Sequence, residues 1–444
     1  MNKEQVKFHK SRRDQLMKKI GKDSIAIILS NSLRNKSHDV SYKFKQNNNF
    51  YYLTGFDEPN SILVLAPGGV KVKDKKSGKE SSVKEVLFVQ HKDPFMEKWD
   101  GIRLGSGNVR EKLGIEYGMD NSSFAEIINN NIIYKYDRLF INLVELYDAE
   151  GELKEVVSQL ISMLRVVSSI VQISDVNNII GVMRKIKTSF ELKQIQKAID
   201  ITVDSLKDSA MKLRPGMKEY QLQSLIEYNY KNRGASEIAF DTIVASGNNA
   251  CTLHYITNRD DIKNGDLVLI DTGAEYNYYR SDITRTFPAN GKFTKEQRIV
   301  YEIVLKANKE AIKRIKPGVK FSTLNKEIKD LIANELVKRK IIKKKEEVKN
   351  FVYHGLGHDL GLDTHDAVPF TNGKKSDFDT LKEGYLVTIE PGVYFSKDSK
   401  ETPSKFKGIG VRIEDDVLVT KTGCKVLTSK LVKEAEEVER LVSN

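Results

Sequence analysis

Residues 271–288 have the sequence DTGAEYNYYRSDITRTFP, in which Asp271 and Asp282 each lie at one end of a predicted strand. The apolar run 267–270 predicts a buried strand that ends at Asp271, and a second strand is predicted over 282–287. The ten residues between the two acids are enough for a hairpin or a wide turn that places Asp271 beside Asp282. Two carboxylates this close resist joint ionisation unless a cation lies between them, so the pattern predicts a metal site.

The C-terminal part of the chain predicts the same order of elements twice. Each half has a helix, a Pro-Gly turn (215–216 and 317–318), a second helix, a strand that ends on a carboxylate, and a further strand with another carboxylate. The four acids at matching positions are Asp271, Asp282, Glu390 and Glu414. Two similar halves that face each other would bring them to one centre. Acids beside apolar strand residues are seldom buried unpaired, so a pseudo-symmetric metal site is favoured over four unrelated surface acids.

Length and patterning predict two domains, because 444 residues exceed what one hydrophobic core usually supports. In residues 1–175 helix and strand patterns alternate, which is typical of an α/β domain. The predicted elements there are a helix over 11–20, a strand over 24–29, sheet over 39–68, a polar hairpin loop over 71–82 and a helix over 152–167. Residues 176–444 form the second domain, whose first long helix is predicted to be capped by Ser189.

Composition excludes several classes of protein. The chain is 39% hydrophobic and 30% charged, and no apolar run is long enough to cross a bilayer. The N-terminus lacks the apolar region of a signal peptide, so a cytoplasmic location is predicted. The net charge is +12, but the lysines are scattered without interleaved aromatic residues, which disfavours nucleic-acid binding. The two cysteines, Cys251 and Cys424, argue against a disulfide framework and a cysteine-based metal site.

The histidines are few but clustered. Three of the seven lie in residues 353–366, YHGLGHDLGLDTHD, and these are His354, His358 and His365. A fourth, His254, lies in the segment NACTLHY. One imidazole with four carboxylates suits Mn(II), Co(II) or Fe(II) better than structural zinc, and suits two ions about 3.5–4 Å apart. Two ions that share a water generate hydroxide near neutral pH, so the residues predict hydrolysis of amides or phosphate esters.

In these motifs the chain resembles the Xaa-Pro aminopeptidases (aminopeptidase P), in the group that also contains prolidase and methionine aminopeptidase. The similar C-terminal segments are LHY at 253–255, GDLVLIDTGAEY at 265–276, SDITRTFPANGKFT at 281–294, HGLGHDLGLDTHD at 354–366, IEPGVY at 389–394 and GIGVRIEDD at 408–416. The similar N-terminal segments are RRDQL at 12–16, residues 39–65 and WDGIRLG at 99–105. The resemblance implies a creatinase-like N-terminal α/β domain followed by a pseudo-symmetric pita-bread metallopeptidase domain.

The resemblance also implies roles for single residues. The implied metal ligands are Asp271, Asp282, His358, Glu390 and Glu414. Asp282 and Glu414 would bridge the two ions, and Glu390 would also carry a proton. The other implied catalytic residues are His254, His354, His365 and Arg412. The implied substrate-binding residues are Phe240, beside the first side chain of the peptide, and Trp99, which would rim the active site of a neighbouring subunit.

The function that the resemblance implies is removal of the N-terminal residue from peptides with proline second, by a hydroxide bound to two divalent ions. Mn(II) is the expected metal, and Co(II), Fe(II) and Zn(II) are the other candidates. A homodimer or homotetramer is expected. The alternative is a prolidase, which accepts only Xaa-Pro dipeptides. A methionine aminopeptidase is less favoured because those chains seldom have this N-terminal domain. A non-catalytic binding protein on the same fold has no physical need for all five ligands.

Overall fold

The computed structural model describes residues 1–73, 78–132, 135–142, 162, 171–366 and 379–443. The chain forms two compact units, Met1–Met183 and Arg184–Asn444. The predicted domain boundary between residues 175 and 176 stays a prediction. The helix predicted over 152–167 lies outside the described residues, apart from Ser162. No helix in the described ranges combines the length and the apolar character needed to span a bilayer.

The first unit contains a mixed sheet with helices beside it. Its described helices are α1 (Lys3–Ile20), α2 (Asn48–Thr54), α3 (Glu97–Asp100), α4 (Val109–Leu113), α5 (Phe124–Ile132) and α6 (Asn177–Lys185), which ends in the second unit. Its described strands are β1 (Ser24–Leu29), β2 (Asn35–Ser37), β3 (Val40–Ser41), β4 (Ile62–Lys73), β5 (Glu80–Val89), β6 (Tyr117–Asp120), β7 (Arg138–Ile141) and β8 (Gln172–Asp175). The sheet has the order β6-β5-β4-β1-β7-β8. It is antiparallel between β5, β4 and β1 and parallel elsewhere.

Burial explains why the central strand was predictable. All six residues of β1 are buried, so it appears in the sequence as a continuous apolar run. Ile27 of β1 lies opposite Val64 of β4, and both belong to an apolar core that also contains Phe88. The predicted α/β character and the strand over 24–29 are confirmed.

Two predictions in this unit are wrong in detail. The stretch 39–68, predicted as sheet, contains the helix α2, because the Asn47 side chain accepts a hydrogen bond from the Phe50 amide and Gly55 ends the helix in the left-handed region. In the polar loop predicted over 71–82, the described residues 71–73 and 80–82 belong to the strands β4 and β5. Val70 and Val72 on β4 are buried, and Lys71 between them is exposed. With this alternation the pairing of β4 with β5 continues into the polar segment.

The second unit repeats one order of elements, as predicted. Its described helices after α6 are α7 (Ser189–Ala210), α8 (Glu219–Asn232), α9 (Lys295–Arg314), α10 (Phe321–Lys338) and α11 (Ala435–Ser443). Its described strands are β9 (Glu237–Ile238), β10 (Ile243–Ser246), β11 (Leu267–Thr272), β12 (Ala274–Tyr276), β13 (Tyr279–Arg280), β14 (Ile283–Pro288), β15 (Leu386–Ile389), β16 (Gly392–Phe395), β17 (Ile409–Arg412), β18 (Asp415–Val419) and β19 (Cys424–Val426). Helices α7 and α8 precede β11 and β14, and helices α9 and α10 precede β15 and β17. The predicted cap of α7 is wrong by one residue, because Thr188 and Glu191 form the capping box.

Strand pairing places the predicted metal-binding acids Asp271, Asp282 and Glu414 near one another. In the β10-β11-β14 sheet, Asp271 lies opposite Thr284, and Asp282 comes directly before β14. The residues between these acids form β12 and β13, which pair as a short hairpin, so the predicted turn is present. Glu414 lies between β17 and β18, and its amide donates to the Thr284 carbonyl at 3.0 Å. That hydrogen bond joins the two repeated halves.

Candidate active site

The second unit has a cavity of about 630 Å³ beside the ends of β11, β14, β15 and β17. The predicted site residues of this unit all line it. They are Phe240, His254, Asp271, Asp282, His354, His358, His365, Glu390, Arg412 and Glu414. Trp99 is different, because it belongs to the first unit, lies in α3 and is 75% exposed.

Three of the predicted metal ligands form a tight cluster. One ligand atom from each of Asp282, His358 and Glu414 lies within 4.8 Å of the others. His358 Nε2 is 3.4 Å from Asp282 Oδ2 and 3.7 Å from Glu390 Oε1, so Glu390 adjoins the same cluster. Both Asp282 and Glu414 are buried. This donor set, three carboxylates and one imidazole, suits a divalent cation with a preference for oxygen.

Asp271 lies at the edge of this cluster and is bound by an arginine. Its Oδ2 accepts a hydrogen bond from Arg412 Nη2 at 2.5 Å. Its Oδ1 is buried and has no hydrogen-bond partner in the part of the chain that the structure describes. A buried carboxylate oxygen without a partner is costly, and a cation in the cavity would satisfy it.

The pKa values of these groups indicate that the buried carboxyl groups need a nearby positive charge in order to ionise. Burial, and then the neighbouring carboxylates, raise the pKa of Asp282 and of Glu414 well above the ordinary values. Burial raises the pKa of Glu390 to about 8, with Asp271 adding to the shift and Arg412 opposing it. Burial lowers the pKa of His358 to about 4, which leaves a neutral imidazole with a lone pair for a metal. The residues therefore fit bound divalent cations.

A pH-dependent loss of stability is expected once metal is removed. A carboxyl group whose pKa is raised in the folded state contributes stability at low pH, and this contribution is lost as the pH rises through the folded-state pKa, about 8 for Glu390. We therefore expect the Tm of chelator-treated protein to fall by about 5 °C or more between about pH 5.5 and about pH 8.5. Metal-loaded protein should not show this fall, because cations bind the ionised carboxylates. Thermal melts with and without chelator measure the difference, and equal falls in both samples would contradict the assignment.

Arg412 connects strands from both halves. Its guanidinium donates to Asp271, to Thr284 Oγ1 at 3.2 Å and to the Tyr394 hydroxyl at 2.9 Å. The Thr284 hydroxyl in turn donates to Glu414 Oε2 at 2.7 Å. One buried arginine therefore fixes the orientation of two acids from the two halves, directly at Asp271 on β11 and through Thr284 at Glu414 between β17 and β18.

The same arginine determines the tautomer of His354. Because the Tyr394 hydroxyl accepts from Arg412, its single proton is available for His354 Nε2, which is 2.7 Å away. The proton of the neutral His354 ring is then on Nδ1, where it donates to the Gly355 carbonyl at 2.8 Å. Burial lowers the pKa of His354 to about 4, so the ring is neutral at physiological pH. Tyr394 was not predicted as a site residue, because a tyrosine within a buried strand is indistinguishable in the sequence from a core residue.

Close backbone contact holds the histidine-bearing loop against β15. The Thr388 amide donates to the His358 carbonyl and the Glu390 amide donates to the Leu356 carbonyl, both at 2.8 Å. A Cβ atom on Gly357 would lie 1.9 Å from the Thr388 carbonyl oxygen, so only glycine permits this approach.

Ion pairs fix the far end of this loop. Asp366 is buried and pairs with Arg184 at 2.5 Å and with Lys187 at 2.9 Å. The neighbouring His365 ring lies with its centroid 4.3 Å from that of His358, nearly perpendicular to it. Arg184, in the last turn of α6, and Lys187, just after it, were missed in the sequence because lysine and arginine are ordinary at the end of a helix.

The fold and the cavity together define a metal-dependent hydrolase whose candidate ligands come from two similar halves of one domain. The chain belongs to metallopeptidase family M24, whose family model matches residues 193–421. A second model, described as the N-terminal domain of aminopeptidase P, matches residues 9–140. The predicted family, the creatinase-like and pita-bread architecture and the metallopeptidase class are thereby confirmed.

Relatives match the chain over nearly its whole length. It is 35% identical to an Xaa-Pro aminopeptidase of Haemophilus influenzae over 439 residues, which cover 97% of this chain and 96% of the relative. It is 33% identical to the human Xaa-Pro aminopeptidase 3 over 436 residues, covering 95% of this chain and 82% of that one. Among solved structures, Escherichia coli aminopeptidase P with the inhibitor Pro-Leu superposes with a TM-score of 0.87 at 33% identity, with 98% of both chains covered.

Proposed function

We propose that this protein is an Xaa-Pro aminopeptidase, which releases the N-terminal residue from peptides with proline in the second position. The observation that supports this most is the clustering of Asp282, His358 and Glu414 in one cavity with Asp271 and Glu390. Relatives that carry the name Xaa-Pro aminopeptidase match both units of the chain.

Two divalent ions would be held by these five residues, with Asp282 and Glu414 as the bridging pair. Mn(II) is the metal we propose, because four carboxylates and one imidazole form a mainly oxygen donor set, and Co(II), Fe(II) and Zn(II) are the alternatives. When bound, such ions polarise the scissile carbonyl and lower the pKa of water.

The residues of the chain would supply proton transfer and orientation. Hydrolysis adds the oxygen of water to the acyl carbon and breaks the bond to the proline nitrogen, which must gain a proton as it leaves. Glu390 would accept a proton from water and deliver it to this nitrogen. His254 and His365 would donate hydrogen bonds to the oxygen that becomes negative in the tetrahedral intermediate. Phe240 would contact the first side chain of the peptide.

A comparison of peptide lengths tests the proposal. Purified protein with Mn(II) is offered Xaa-Pro, Xaa-Pro-Yaa and a longer Xaa-Pro peptide, with Xaa-Ala-Yaa as the matched control. We expect cleavage of the tripeptide and the longer peptide, and at least about tenfold slower cleavage of the alanine control. A second candidate, prolidase, requires that only the dipeptide is cleaved. Cleavage of the control at an equal rate would contradict proline specificity.

Trp99 is the residue that we infer to act between subunits. It is largely exposed, and Phe95 and Ile102 in the same segment are 65% and 84% exposed, which gives an apolar surface suited to a partner. We propose a homodimer or homotetramer in which this surface rims the active site of a neighbouring subunit. Cytoplasmic location stays a prediction.

Replacing this tryptophan tests its role. Trp99→Ala should lower kcat/KM for Xaa-Pro-Yaa by about tenfold with unchanged metal content, because no residue of the first unit is a proposed ligand. Tyr42→Ala, which also removes an exposed aromatic side chain from this unit, is the control and should keep wild-type activity. A fully active monomer in sedimentation experiments would refute the subunit contact.

A further inference from the structure

His254 lies in an irregular segment that follows a short 3-10 helix, Gly247–Cys251. Residues 252–259 lie outside helices and strands, and the His254 side chain is exposed. Its ring has no hydrogen-bond partner within the described residues. The direction of this ring in the cavity therefore depends on the path of the backbone between Ser246, the last residue of β10, and Asp260.

One buried carboxylate binds both ends of this segment. Glu219, the first residue of α8, is fully buried. Its Oε1 accepts hydrogen bonds from the Ser246 amide at 2.8 Å, the Ser246 hydroxyl at 2.7 Å and Asn249 Nδ2 at 3.0 Å. Its Oε2 accepts from the Tyr255 hydroxyl at 2.7 Å and the Asp260 amide at 3.0 Å. Five donors thus converge on one side chain, and Tyr255 is the direct neighbour of His254.

The arrangement requires a carboxylate and not an amide. Three of the five donors are N–H groups, from Ser246, Asn249 and Asp260, which cannot accept a hydrogen bond in return. A glutamine at 219 would place its own NH₂ group against at least one of these N–H groups, whichever way the amide is turned. The helix N-terminus beside Glu219 also favours negative charge, so the ionised side chain suits this position.

We propose that Glu219 is a positioning residue, which acts on catalysis through His254 by fixing both ends of residues 247–259. This inference rests on the proposed peptidase function. Glu219 and Tyr255 do not line the active-site cavity, whereas Leu253, His254 and Ile256 do. The effect of Glu219 on the reaction is therefore indirect, and it requires the His254 side chain to be present.

A double-mutant cycle separates this role from a general contribution to folding. We expect Glu219→Gln to lower kcat for Xaa-Pro-Yaa by about tenfold or more, since small displacements of a catalytic group are costly, while metal content stays unchanged. In a His254→Ala background the same substitution should change kcat by less than about twofold. Equal fold losses in both backgrounds, or no loss in the wild-type background, would overturn the proposal.

Two further variants keep the test decisive. Tyr255→Phe removes one donor and leaves the other four, so it should fold normally, lower kcat by about threefold and show the same dependence on His254. Glu227→Gln makes the same charge change on α8, where the carboxylate accepts from Gln223 and from no other described residue, and should leave kcat unchanged.

Hydrogen exchange provides a readout that does not require activity. Amides of residues 247–259 should exchange at least about tenfold faster in Glu219→Gln than in wild type, with the rest of α8 unchanged. If wild-type protein cleaves no Xaa-Pro peptide, the proposed function fails while this measurement still tests how the segment is fixed. If the wild type is active and exchange in this segment is unchanged in the variant, the positioning role fails alone.

Discussion

Asp282→Asn or Glu414→Gln is expected to reduce kcat for Xaa-Pro-Yaa by at least about 1000-fold, which corresponds to about 4 kcal/mol in activation free energy. Both acids are buried in the cluster that includes His358, and each substitution replaces an anion by a neutral amide of the same shape. Because the cluster would then lack one of the charges that attract divalent cations, each variant should also retain less metal after dialysis. Activity assays and elemental analysis of the same preparations measure both effects.

Asp241→Asn is the matched control for these two variants. Asp241 lines the same cavity but lies outside the cluster, so its substitution should leave metal retention unchanged. Near wild-type activity in Asp282→Asn or Glu414→Gln would show that the proposed bridging pair is wrong.

His365→Ala is expected to lower kcat by about 100-fold while metal content stays at the wild-type level, and His254→Ala should behave alike. A loss of this size is typical when an electrostatic stabiliser of the transition state is removed. His365 contacts the ring of His358, but its atoms are not part of the ligand cluster. The substitution therefore removes a group beside the reacting carbonyl and leaves the cation in place.

The control for the histidine experiment is His358→Ala, which should lose metal as well as activity. The two rings are neighbours of the same chemistry, with His358 partly buried and His365 exposed, so the contrast between them separates metal binding from contact with substrate. Loss of metal in His365→Ala would contradict the role assigned to it.

The sequence predicted those parts of the site that depend on local patterns. Asp271 and Glu390 were recognisable because each ends a short apolar run that forms a buried strand, as β11 and β15 show. The repeated order of helices, Pro-Gly turns and strands indicated that these acids meet. The histidines were identified because three of the seven lie within residues 353–366.

Contacts between distant residues could not be predicted in the same way. Glu219 precedes Tyr255 by 36 positions, and Arg184 precedes Asp366 by 182, so no periodicity within one element connects the partners. Smaller errors arise where two neighbouring residues suit the same position. At the start of α7, Thr188 and Ser189 are both good capping residues, and only the geometry selects Thr188.

Metal-dependent cleavage is tested most directly by a titration of metal-free protein with Mn(II), in which bound metal per chain and the rate of Xaa-Pro-Yaa cleavage are measured on the same samples. We expect no cleavage without metal and full activity when two ions are bound per chain. Full activity in metal-free protein, or a fully loaded protein that leaves the peptide intact, would contradict it.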